Sequence, residues 1–158
     1  MPASIQWHLV GHLQSNKVKY IFDLFDLIHS VDSLPLADEI QKRAERVGKT
    51  VNILIQINTS GEETKFGVPF DKAASVVRET SKFKNLNVMG LMTMPPYSKN
   101  PEDSRVFYKK LKSVKIEFEK ENLNLPELSM GMSNDYEVAI EEGATLIRVG
   151  TAIFGARS

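Results

Sequence analysis

Val51-Asn52-Ile53-Leu54-Ile55-Gln56-Ile57 decides the fold. The run is apolar almost throughout, the pattern of a strand covered on both faces of a parallel sheet. Working outward, residues 5–11, 25–31, 51–58, 86–94, 128–132 and 146–154 read as six strands, with amphipathic, charged segments between them. Asp32 or Ser33 can cap the helix after the second strand, with Pro35 in its first turn. Leu36, Ile40, Ala44 and Val47 follow as one apolar stripe, and Gly48 supplies the stop. The longest helix is expected over 101–122, with Phe107, Leu111, Val114 and Phe118 as its stripe. Its other face carries Lys109, Lys110, Lys112, Lys115, Glu117 and Glu119, read most simply as a solvated surface. Shorter helices fit 13–24, 70–83 and 135–142, the last stopped by Gly143.

Strands alternating with helices, without a hairpin signal, give an α/β fold with parallel strands and right-handed crossovers. The repeat of roughly 25–30 residues, about the size of a βαβ unit, suits a barrel or a doubly wound sheet equally. No linker, low-complexity stretch or internal repeat divides the 158 residues, so one domain is expected.

Composition narrows the function. The chain is 42% hydrophobic and 25% charged, with 20 basic residues against 20 acidic ones. No global field favours nucleic acid or an anionic membrane. The absence of cysteine excludes disulfides, thiolate metal sites and a cysteine nucleophile. Met1-Pro2-Ala3-Ser4-Ile5-Gln6-Trp7-His8 has neither the basic nor the apolar region of a signal peptide. No apolar run approaches the roughly 20 residues of a membrane span, so cytoplasm is the default.

In both architectures ligands bind where the strands end at their carboxyl termini. There the sequence places Gly11-His12, Asn58-Thr59-Ser60-Gly61, Thr93-Met94-Pro95-Pro96, Gly131-Met132-Ser133-Asn134 and Gly150-Thr151. Small hydroxyl residues and glycines suit loops that close around a phosphate. Ser133-Asn134-Asp135 opens a helix, so Ser133 reads either as an N-cap or as a phosphate ligand, and Gly150 either as a bend in a strand or as part of a phosphate cup. Arg148 lies inside an apolar strand, where burial demands a partner: a carboxylate, an escape to the rim, or a ligand. His8 reads first as a satisfied core histidine. His8, His12 and His29 lack metal-ligand spacing. There is no Walker loop, no G-x-G-x-x-G and no nucleophile elbow at Ser133.

Five blocks then carry a resemblance: Trp7-His8-Leu9-Val10-Gly11-His12-Leu13-Gln14-Ser15-Asn16-Lys17, Gln56-Ile57-Asn58-Thr59-Ser60-Gly61-Glu62-Glu63-Thr64-Lys65-Phe66-Gly67, Gly90-Leu91-Met92-Thr93, Leu128-Ser129-Met130-Gly131-Met132-Ser133, and the ending from Ile147 through Gly155 to Ala156-Arg157. In order and spacing they resemble the pyridoxal phosphate homeostasis protein (YggS-like) family. The resemblance implies a (β/α) TIM-type barrel like the N-terminal domain of alanine racemase. It also implies pyridoxal 5′-phosphate at the strand ends, with the phosphate held by Ser133, Gly150 and Thr151. Arg148 would face the pyridine nitrogen, and Met132 and His8 complete the implied cofactor-binding set. The implied role is non-catalytic, in vitamin B6 and amino-acid homeostasis. The competing readings are a racemase-like enzyme fragment and a structural remnant that binds no cofactor.

The sequence also departs from the family pattern. The family carries two further strands before Trp7, the first bearing the Schiff-base lysine and the second followed by a Phe-Gly-Glu-Asn stretch. An internal start, a clipped gene or a fragment is the expectation, because Pro2-Ala3-Ser4-Ile5-Gln6 already resembles the lead into Trp7. The resulting expectation is an incomplete barrel of about six parallel strands, with open edges able to pair with another chain and weakened cofactor binding. Lys65 lies on the ligand side and reads as an exposed loop charge rather than a substitute Schiff-base lysine.

Overall fold

A computed structural model describes residues 5–155. The readings made on Pro2, Ala3 and Ser4 and on Ala156 and Arg157 lie outside the described residues. The strands are β1 (His8–Leu9), β2 (Leu27–Val31), β3 (Val51–Asn58), β4 (Val68–Pro69), β5 (Leu86–Met92), β6 (Glu127–Met132) and β7 (Leu146–Arg148). The α-helices are α1 (Leu34–Val47), α2 (Ala73–Thr80), α3 (Arg105–Lys120), α4 (Tyr136–Glu141) and α5 (Thr151–Phe154). The sheet runs β1-β2-β3-β5-β6-β7, with the two-residue β4 branching off β3. Every pairing is parallel. The six main strands curve into an open half-barrel, and β1 and β7 form its two edges.

Alternation along the strands sorts the side chains. Ile53, Ile55 and Ile57 of β3 join the main core against the helices, with Leu36 and Ile40 of α1, Val77 of α2, and Leu111, Val114 and Phe118 of α3. Leu54 faces the other way and packs with Leu27 and Met92 in a small inner cluster, with Met89 and Leu146 against it. The inner face therefore has an apolar floor, and polar residues stand nearer the carboxyl rim. This explains why β3 is apolar on both faces: helices cover one, and the curved sheet covers the other.

Local signals place the helices. Ser33 is the N-cap of α1 and its hydroxyl accepts the Leu36 N–H at 3.4 Å. Gly48 ends the helix in the left-handed conformation at φ 65°, where a side chain is disfavoured. The stripes shift slightly from expectation. In α1 the buried set is Leu36, Ala37, Ile40 and Ala44, while Val47 is 51% exposed. In α3 Tyr108 rather than Phe107 is buried with Leu111, Val114 and Phe118, although 107 fits the helical period more closely, because packing against the sheet recentres the buried face.

Three larger differences concern the ends. The strand expected over 5–11 pairs only at His8 and Leu9, opposite Leu27 and Ile28 of β2. The helix expected over 13–24 is a 3-10 segment, Ser15–Tyr20, with one buried side chain, Val18. The strand expected over 146–154 stops at Arg148, and the chain turns into the short α5. At Gly150 (φ −117°, ψ −73°) the backbone leaves the extended form. Its carbonyl then accepts the N–H groups of Ile153 and Phe154, both at 2.9 Å.

Candidate functional site

The ends of β5, β6 and β7 and the loops after them enclose a cavity of about 590 Å³, a size typical of small-molecule sites. Met132, Ser133, Gly150 and Thr151 line it, as does Lys65 from the loop after β3. Lys65 is exposed.

Ser133 does not cap α4. That helix starts at Tyr136, and the Asp135 carboxylate accepts the Met132 N–H (2.8 Å) and the Ser104 O–H (2.7 Å). The Ser133 oxygen instead accepts the N–H groups of Gly150 (3.0 Å) and Ala152 (3.2 Å). With both lone pairs engaged, the hydroxyl proton remains as a donor. The same two bonds pull the chain after β7 into its turn, which is why the last strand ends early. Thr151 adds an exposed hydroxyl on the same lip.

Gly150 is not a simple bend demanded by the backbone. Its φ is negative, and a Cβ there would meet nothing within 4 Å. The fold tolerates a side chain at this point, yet the sequence leaves the space open beside the cavity.

Arg148 neither pairs with a carboxylate among the described residues nor escapes to the rim. Its Nη1 donates to Ser129 Oγ at 2.5 Å, its Nη2 to the Thr93 carbonyl at 2.9 Å, and its Nε faces Met132 Sδ at 3.4 Å. Burial pulls its pKa below the usual guanidinium value, and Tyr108 and Asp135 oppose that shift. A guanidinium remains charged even so. The site therefore contains a cation whose contacts are neutral, with two N–H donors still uncommitted.

His8 is half-buried and not isolated: its Nδ1 lies 3.0 Å from Nε2 of the buried His29, whose Nδ1 lies 2.8 Å from Ser129 Oγ. Burial first, then the charges of His8 and Arg148, lower the His29 pKa to about 4. A second cavity of about 340 Å³ is lined by His8, His29, Met132, Arg148 and Gly150, and it shares Met132 and Gly150 with the first. The six residues singled out from sequence, His8, Met132, Ser133, Arg148, Gly150 and Thr151, thus border two adjoining cavities at one end of the half-barrel.

Sequence reasoning missed His29, Ser129 and Thr93 as members of this group. The available signal was His29 two residues after Leu27 in a buried strand, a polar residue on the inward face. Among the described residues no group of three or more His, Cys, Asp and Glu side chains could hold a metal ion, and no helix is long and apolar enough to cross a membrane.

Comparisons with known proteins point one way. The family described as alanine racemase, N-terminal domain, matches residues 3–158. The chain is 51% identical over 154 residues to the pyridoxal phosphate homeostasis protein of Aquifex aeolicus, covering 97% of this chain and 68% of that one. The protein of the same name from Vibrio alginolyticus is 38% identical, with 97% and 66% covered. The solved structure of PipY from Synechococcus elongatus with PLP bound superposes with a TM-score of 0.87 at 33% identity, covering 98% of this chain and 72% of that one. The chain spans about two thirds of the length of the curated relatives named here.

Proposed function

The chain belongs to the pyridoxal phosphate homeostasis protein family, and from that premise we propose that it holds pyridoxal 5′-phosphate noncovalently at the carboxyl rim of its half-barrel. The proposed role is non-catalytic, in vitamin B6 and amino-acid homeostasis in the cytoplasm. The reading rests first on Arg148, a half-buried cation with neutral hydrogen-bond partners and donors to spare. An acceptor-rich ligand offsets the cost of such a charge.

The residues fit the group. The Ser133 O–H, the Thr151 hydroxyl and the open space beside Gly150 suit a phosphate. Arg148, with Met132 and His8 beside it, borders the space for the ring. When bound, pyridoxal phosphate supplies a ring that can draw electrons from an attached carbon. Arg148 donates hydrogen bonds and cannot accept them, so facing a pyridine nitrogen it favours the unprotonated ring and weakens that pull. Such a site suits holding the cofactor, or at most proton exchange at the attached carbon, better than transamination. Lys65 lines the cavity but is exposed, without the desolvation an activated lysine needs, which supports a noncovalent mode.

Calorimetric titration with pyridoxal 5′-phosphate against pyridoxal tests the phosphate cup. The phosphate-bearing form should bind at least about tenfold tighter, the value of one charge-assisted contact. Equal affinities, or none for either, would overturn the reading. Borohydride reduction of the loaded protein followed by peptide mapping should label no lysine, Lys65 included; a labelled lysine rules out the noncovalent mode.

We propose in addition that the open edges at β1 and β7 associate with a second copy of the chain. Exposed Trp7 and Ile147 lie at these edges, and an uncovered strand edge is a template for pairing.

A further inference from the structure

We propose that Ser129 and His29 act as a positioning pair behind Arg148, carrying a one-way run of hydrogen bonds from the guanidinium to His8 that fixes both imidazoles as Nε2–H tautomers.

The direction follows from one residue that can only donate. Arg148 Nη1–H points at Ser129 Oγ, 2.5 Å away, and a guanidinium has no acceptor to offer in return. Ser129 is fully buried, so its own proton needs an acceptor. His29 Nδ1, at 2.8 Å, is placed to be that acceptor. A neutral imidazole that accepts on Nδ1 carries its proton on Nε2. That nitrogen lies 3.0 Å from His8 Nδ1, which must therefore accept, leaving His8 protonated on Nε2. The reverse order gives Ser129 Oγ two incoming donors and leaves its O–H buried with no acceptor among the described residues. The run also requires a neutral His29, and its surroundings hold it neutral at pH 7.

Two consequences follow. Arg148 is tied at Nη1 to Ser129 on β6 and at Nη2 to the Thr93 carbonyl just after β5, so its position is set by two strands rather than by its own flexible stem. His8 has its acceptor nitrogen occupied and offers a ligand in the adjoining 340 Å³ cavity a donor. The ligand group beside it must then be an acceptor, such as an oxyanion. Only this ligand statement rests on the cofactor reading above; the tautomers do not.

Nitrogen NMR of imidazole-labelled, cofactor-free protein reads the tautomers directly. At pH 7 His29 should be neutral with its proton on Nε2, and His8 Nδ1 should carry no proton. A proton on His29 Nδ1, alone or together with Nε2, overturns the proposal. Ser129→Ala should leave His29 with mixed tautomers and weaken pyridoxal phosphate binding about tenfold, while Ser129→Thr, which keeps the hydroxyl, preserves both properties. An alanine variant indistinguishable from the parent in His29 tautomer would equally overturn it. If the parent protein binds no pyridoxal phosphate, the cofactor reading fails, and the tautomer measurement still decides this proposal.

Discussion

Gly150 separates binding from folding within one residue. A Cβ there meets nothing within 4 Å, so Gly150→Ala should leave stability within about 0.5 kcal/mol of the parent. The same methyl group narrows the cavity, and affinity for pyridoxal phosphate should fall; unchanged affinity by calorimetry would remove the glycine from the phosphate cup. His29 carries a pH signature. Its folded pKa is about 4 against an ordinary 6.5, first because of burial and then because of His8 and Arg148. The unfolded chain takes up a proton as pH falls through 6.5, and the folded chain does so only near 4. Stability from this residue is therefore complete above pH 6.5 and declines between 6.5 and 4, by about 3 kcal/mol at most. Denaturant unfolding at pH 7 and pH 4.5 should show a smaller loss for His29→Gln than for the parent; equal losses would refute the assignment. At this scale Arg148 and Gly150 were legible because each breaks a local rule, a cation in an apolar strand and a glycine in mid-strand. Ser129 and His29 were not, because their roles depend on strands a hundred residues apart in the chain.

Between β5 and β6 the backbone approach depends on a missing side chain. A Cβ on Gly90 would lie 1.9 Å from the Glu127 carbonyl oxygen and 2.7 Å from its carbon. Backbone cannot yield there as a flexible side chain would, so Gly90→Ala should cost about 3 kcal/mol or more and lower the melting temperature sharply. A melt matching the parent's would show that the strands can separate cheaply. Helices α1 and α3 were legible from caps and stripes, yet the exact buried faces were not: Tyr108 displaces Phe107, and Val47 turns to solvent. Period sets which residues share a face, and only packing against the sheet sets where that face is centred. The last strand was misjudged for a different reason. Its apolar residues continue to Phe154, but the Ser133 hydroxyl captures the amides of Gly150 and Ala152 and turns the chain. A side chain from another strand overrides the local pattern.

As a whole, the molecule is a curved parallel sheet that stops at β1 on one side and β7 on the other. Alternation of strands and helices made the parallel α/β class legible, while the choice of a barrel over a flat sheet came from the resemblance rather than from spacing. Sedimentation velocity over a wide concentration range should show mass rising above that of one chain, in line with edge pairing. A single monomeric species with a sharp cooperative melt would contradict it. The curvature itself has an unusual support. The contact between His29 of β2 and Ser129 of β6 crosses from one arm of the arc to the other, over β3 and β5. It works as a bowstring: among the described residues, this side-chain link ties one arm of the arc to the other. Slackening that string by acid would let the arms spread, so a guest seated between them would loosen before the helices outside register any change.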